Sequence, residues 1–125
     1  MSPDLIYEIF KEFNINGAHH SRIETSFDGV IGAGLGSSGS ITVATVGAIN
    51  KALNLKLSKD EIAEKAFEIE NKIHYTGRQD HYVSLYGGMN SMVFDTNKVI
   101  VSPIKREIVE KIYPSLFLLF LGKRE

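Results

Sequence analysis

Nine consecutive residues, Gly32-Ala33-Gly34-Leu35-Gly36-Ser37-Ser38-Gly39-Ser40, carry four glycines and three hydroxyls. Closely spaced glycines let a backbone approach a phosphate with no side chain between them. A helix starting at the serines would aim unpaired N–H groups and the positive end of its dipole at the same anion. The serine hydroxyls could also ligate a phosphate-bound magnesium ion, as the Ser or Thr of a P-loop does. Two carboxylates further along could complete such a site. Glu70 stands beside Ile69 on the apolar flank of a helix-patterned segment, where a carboxylate needs a partner and a metal is one. Asp80 follows the glycine-containing linker Tyr75-Thr76-Gly77 and opens a new segment. Phosphoryl transfer asks a protein mainly for positioning and charge neutralisation. A hydroxyl, a metal-binding carboxylate and a second carboxylate near the acceptor therefore suffice.

Each of these residues also has a plainer assignment. The loop could be a flexible turn, Glu70 could pair with Lys72 or Arg78, and Asp80 could cap a helix. Glu68 reads as a surface charge and His81 as a surface histidine, with a hydrogen bond to sugar or phosphate as its alternative. His19, His20 and His74 show no ligand spacing with another His, Asp or Glu, so no zinc site is expected.

Glycines alone do not say which phosphate is held. Gly34 to Gly39 fits G-x-G-x-x-G, the turn of dinucleotide-binding folds, and Val30-Ile31 looks like the end of a strand running into it. That fold also demands a hydrophobic strand before the glycines and an acidic residue at a strand end about 20 residues on. Ser26-Phe27-Asp28-Gly29 puts a charge and a glycine in the first place, and Asn54 to Ser58 is too short for a buried strand in the second. A Walker loop needs a lysine after its last glycine, where this chain has serines. What remains, beside a flexible turn, is a glycine loop whose hydroxyls could hold a phosphate-bound magnesium ion.

At this point the residues resemble a family. Gly32-Ala33-Gly34-Leu35-Gly36-Ser37-Ser38 is similar to the G-x-GLGSS signature of the GHMP kinases, which include galactokinase, homoserine kinase, mevalonate kinase and phosphomevalonate kinase. Ala66 to Glu70 (AFEIE), Gly77 to Tyr82 (GRQDHY) and Gly87 to Asn90 (GGMN) resemble a series found in the heptose-phosphate kinase branch. The resemblance implies an α+β fold with a left-handed βαβ unit, like the second domain of ribosomal protein S5, built as a mostly antiparallel sheet packed with helices. It implies ATP-dependent phosphorylation of a sugar or sugar-phosphate hydroxyl, with residues 32–40 binding ATP. Ser38 and Glu70 would ligate Mg2+ and Asp80 would be the catalytic base or orienter. Val30 and Ile31 replace the usual prolines, and Gly39 stands where Ala or Ser is commoner. In extent, residues 1–125 match part of the family's N-terminal domain, without the C-terminal one. A truncated, non-catalytic nucleotide-binding piece is thus an alternative, as is half of a split kinase needing a complementing chain or a homodimer.

The elements that must position these residues follow from patterning. Ser2-Pro3-Asp4 opens a helix with Leu5, Ile6, Ile9, Phe10 and Phe13 on one face. A turn or loop over Asn14 to His20 follows, then a strand over Arg22 to Asp28. Small and aliphatic residues from Ser38 to Leu53 predict a buried helix. Ser58 and Glu61 form a capping box for a helix continuing to about His74. The segment Arg78 to Tyr86 ends at Gly87-Gly88. Met89–Phe94 and Lys98–Ile104 read as a hairpin around Asp95-Thr96-Asn97, Ile108–Tyr113 as a short helix and Leu116–Leu121 as a last strand. This order is α+β.

Composition narrows the classes. The 125 residues are 43% hydrophobic and 23% charged, an ordinary globular balance. A net charge of −1 without a basic stripe argues against nucleic acid. No cysteine is present, which excludes disulfides and thiolate metal sites and suits a reducing compartment. The N-terminus lacks signal-peptide character, and Leu116 to Leu121 is too short to span a bilayer. A soluble, cytoplasmic protein is expected, with a small-molecule substrate.

Overall fold

A computed structural model describes residues 3–15, 22–29, 32–96 and 98–122. Helix α1 (Pro3–Glu12) is followed by α2 (Ser37–Ala52), α3 (Lys59–Asn71) and α4 (Gln79–Tyr86). A hairpin of β1 (Asn90–Phe94) and β2 (Val99–Pro103) comes next, then α5 (Arg106–Ile112) and a single 3-10 turn, Tyr113–Ser115.

The core forms where apolar faces meet. Leu5 and Ile9, one turn apart on α1, pack with Val43, Val46 and Ile49 of α2 and with Ile62, Ala66 and Ile69 of α3. Fully burying each such aliphatic side chain stabilises the fold by about 1.5–3 kcal/mol. Helix α2 buries two hydroxyls as well, and both are satisfied: Thr42 and Thr45 donate to the carbonyls of Ser38 and Ile41 at 2.9 and 2.8 Å. A second cluster, Ala63, Tyr82 and Val99, joins α3, α4 and the hairpin.

Local chemistry sets the boundaries. The Ser58 hydroxyl accepts from the Glu61 N–H, while the Glu61 carboxylate accepts from the Ser58 N–H at 2.8 Å, the expected capping box. Helix α1 is fastened to α3 by Glu12, which takes Lys65 at 2.8 Å and Lys72 at 2.6 Å. Those two bonds hold its carboxyl well below the usual range, at about 2. The hairpin runs antiparallel in the register Asn90↔Pro103 to Phe94↔Val99. Asp95 shapes its tip by donating its N–H to the Lys98 carbonyl at 2.9 Å.

Two expected strands are not formed. Residues 22–28 and Leu116–Leu121 have no ladder partner, so the mostly antiparallel sheet reduces, among the described residues, to one two-stranded hairpin. A strand exists only by pairing, and neither segment has a ladder partner. Ile23 alone of residues 22–28 packs on the core, as a partly buried neighbour. Leu116 to Leu121 are all more than half exposed. Helix α3 also stops at Asn71, short of His74, because its end turns in through Ile73 and His74 N–H bonds to the Glu70 carbonyl. Val30, Ile31, Asn97, His19 and His20 lie outside the described residues.

No helix among the described residues is long and apolar enough to cross a membrane. The five helices and one hairpin among the described residues are consistent with an α+β chain.

Candidate functional site

The glycine loop bends onto the start of α2. Gly32, Gly34 and Gly36 all have positive φ, at 84°, 73° and 70°. Gly36 is the residue that caps α2, and no side chain caps the helix. The Ser40 N–H makes the helix's opening bond to the Gly36 carbonyl at 2.9 Å. The N–H groups before it have no carbonyl one turn back, so the helix presents donors and its positive dipole end at the loop. Ala33 is half-buried and Leu35 points outward at 58% exposure.

Asp80 sits against this turn. A methyl on Gly36 would lie 3.2 Å from Asp80 Cγ, and one on Gly39 would lie 3.1 Å from Asp80 Cβ. Only glycine allows this approach at Gly36, where φ is also left-handed. The expected N-cap role for Asp80 is not what forms: Arg78 is the capping residue of α4, and Asp80 lies inside the first turn. Ser84 and Ser40 knit the two helices together, their hydroxyls 2.9 Å apart. Ser84 also reaches the Asp80 carbonyl at 2.6 Å and Ser40 the Gly36 carbonyl at 2.9 Å. Each serine has one proton, so one hydroxyl bridges to the other while its neighbour bonds back to its own helix.

Glu70 is 2% exposed. Its Oε2 takes His81 Nε2 at 2.8 Å and its Oε1 takes His74 Nε2 at 3.0 Å, and the Ser38 hydroxyl lies near enough to the same carboxylate to lower its pKa. Burial pushes the carboxyl up, but His81, Ser38 and His74 together outweigh it and hold it below its ordinary value. The expected salt-bridge partners are engaged elsewhere: Arg78 Nε lies 3.1 and 3.0 Å from the two Glu64 oxygens, and Lys72 meets Glu12.

Two histidine assignments are corrected. His81 is not a surface residue but 0% exposed, because His81, Tyr82 and Leu85 form the inward face of α4. Its ring meets Phe67 edge-on at 5.9 Å, and Phe67 in turn carries the Arg78 guanidinium at 4.5 Å from its centroid. His74 does pair with an acid, four residues back at Glu70. The signal E-x-x-x-H was present in the sequence and could have found it.

Ser38, Glu70 and Asp80 thus lie near the leading end of α2, with His74 and His81 against Glu70. Among the described residues no group of three or more His or acidic residues is placed to hold a metal. Ser38 and Glu70 together offer one hydroxyl and one carboxylate, a hard oxygen pair that suits Mg2+, which binds through few protein ligands plus phosphates and water. A separate apolar cavity of about 1000 Å³ lies between α1, residues 22–27 and the Ile41–Ala44–Ala48 stripe of α2. Neither Glu70 nor Asp80 lines it.

The site is a glycine turn at an uncapped helix start, flanked by acids. Residues 4–88 match the family described as GHMP kinases N terminal domain, and the chain belongs to this family. It is 41% identical to the D-glycero-alpha-D-manno-heptose 7-phosphate kinase of Campylobacter jejuni over 86 residues, 66% of this chain and 25% of that enzyme. The mevalonate kinase of Pyrococcus abyssi is 55% identical over 40 residues, 32% of this chain and 12% of that enzyme. The homoserine kinase of Clostridium botulinum is 33% identical over 116 residues, 87% of this chain and 36% of that enzyme. The chain therefore spans between about an eighth and about a third of these three relatives. No solved structure matches it significantly.

Proposed function

We propose that this chain carries the phosphate-binding part of an ATP-dependent kinase that phosphorylates a hydroxyl of a sugar or sugar phosphate. One observation supports it above the rest: Ser38, Glu70 and Asp80, spread over more than forty positions, converge on the uncapped end of α2. An isolated flexible turn would have no reason to draw two carboxylates to it. The acceptor class follows the similarity to the heptose 7-phosphate kinase.

In this mechanism the loop from Gly32 to Ser40 cradles the triphosphate with backbone N–H groups and hydroxyls. Ser38 and Glu70 are the residues that would hold Mg2+, which when bound neutralises charge on the phosphates. Asp80 orients the acceptor hydroxyl and takes its proton. The acceptor oxygen bonds to the γ-phosphorus, the bond from that phosphorus to the β–γ bridging oxygen breaks, and ADP leaves with the electron pair. The buried packing around Glu70 keeps water from its carboxylate on one side.

Calorimetric titration tests this. Heat on adding Mg-ATP and none on adding NAD is the expected result. Heat with NAD and none with Mg-ATP would overturn the reading.

A further inference from the structure

The buried histidine of α4 has no part in the mechanism above, yet it makes the most enclosed polar contact on Glu70. We propose that His81 is a positioning residue that presets the Glu70 carboxylate for the cation, with His74 as the exchangeable donor that the cation displaces. This rests on the reading of Ser38 and Glu70 as the cation's ligands.

The two histidines differ in kind. The His81 side chain is 0% exposed and its bond to Glu70 Oε2 is 2.8 Å. The His74 side chain is 53% exposed and its bond to Oε1 is 3.0 Å. An exposed donor that leaves a carboxylate finds water at once, so its departure costs little. A buried donor finds nothing, and its departure would leave both its own N–H and a carboxylate oxygen unsatisfied. The carboxylate is therefore gripped on Oε2 and releasable on Oε1.

The ring that does the gripping is itself fixed. A carboxylate only accepts, so the His81 proton sits on Nε2. Nδ1 is buried with no hydrogen-bond partner among the described residues. A ring flip would exchange Nε2 for the carbon Cε1 against Glu70 Oε2 and break the bond, so the arrangement has one orientation. Phe67 packs edge-on against that ring and is weighted by Arg78. In the series Gly77-Arg78-Gln79-Asp80-His81-Tyr82, His81 directly follows Asp80. One short helix turn thus carries Asp80 towards the loop and His81 towards Glu70, coupling the acceptor side of the site to the cation side.

Donors that hold a metal's ligand from behind commonly govern metal affinity by about 10–100-fold when removed. A donor with a purely structural role would change stability and leave cation dependence alone. The readout is therefore the ratio of ATP dissociation constants with EDTA and with excess Mg2+, measured by calorimetry on the 125-residue chain. His81→Phe keeps the ring volume and removes the donor, and is expected to reduce this ratio by about tenfold or more. His81→Gln, whose amide can still donate to Glu70, is expected to keep it within about threefold of the unaltered chain. A folded His81→Phe chain with an unchanged ratio overturns the role and leaves the parent reading standing. An unaltered chain that binds ATP equally with and without Mg2+ overturns the cation site and the role with it.

If His81→Phe does not fold, imidazole nitrogen NMR on the unaltered chain decides. Adding Mg-ATP should move the His74 Nε2 resonance while His81 stays protonated and bonded at Nε2. A His81 that loses its bond, or a His74 that does not respond, overturns the proposal.

Discussion

A carboxylate as enclosed as Glu70 must be held by donors, and the identity of those donors says what it can still do. His81 and His74 occupy both oxygens, and the Ser38 hydroxyl lies close by. Asp80 has a different situation, half-buried with its backbone fastened by Ser84. If it takes the acceptor proton, Asp80→Asn should lower turnover of the complete enzyme by orders of magnitude while leaving ATP affinity nearly unchanged, as steady-state kinetics would show. Survival of turnover would remove Asp80 from the mechanism. Gly36→Ala should be harmful on two counts, because φ is 70° and the new methyl meets Asp80 Cγ. A strained left-handed residue costs about 1–2 kcal/mol, so a lowered melting temperature and weaker ATP binding are both expected. At this scale residue type and the resemblance singled out Ser38, Glu70 and Asp80, whose roles are those proposed above. His81 was not legible, since an eight-residue helix is too short for periodicity to reveal its inward face.

Helix ends and helix pairs carry the next level. The clamp of Glu12 between Lys65 and Lys72 makes α1 part of the fold, although the apolar contacts of Leu5 and Ile9 do most of the packing. The folded carboxyl lies at about 2, below its ordinary value of 4.5. Its contribution is therefore complete above about pH 4.5 and is lost as the pH falls towards 2. Glu12→Gln should cost about 1 kcal/mol at neutral pH, allowing for solvent screening. The difference from the unaltered chain should shrink in urea melts run at progressively lower pH. At the other end of α3, Ser58→Ala removes an N-cap and should cost about 1 kcal/mol by the same measurement. Helices and the hairpin were legible because their hydrogen bonds close within a few residues or between neighbouring segments. Residues 22–28 and 116–121 have strand composition, but pairing is a non-local property that composition cannot supply.

Viewed as one body, the chain shows two characters. Its α2–α3–α4 half is packed tightly around two clusters, whereas its last third is nearly all surface. Val93, Phe94 and Ile100 of the hairpin are about half exposed, and Phe117 and Leu121 reach 89% and 88%. Soluble monomers rarely show contiguous apolar surface on this scale. The run Leu-Phe-Leu-Leu-Phe-Leu from 116 to 121 has no charge, proline or glycine to interrupt it. Such segments are where chains stick to one another edge to edge. Made by itself in a cell, this polypeptide should call on chaperones and tend towards inclusion bodies. Sedimentation velocity should show its mass rising with concentration, and Phe117→Lys with Leu119→Lys should suppress that rise while leaving the helical circular dichroism intact. If the doubly substituted chain clumps as readily, the stickiness lies elsewhere, with the hairpin's outward face next to be tried.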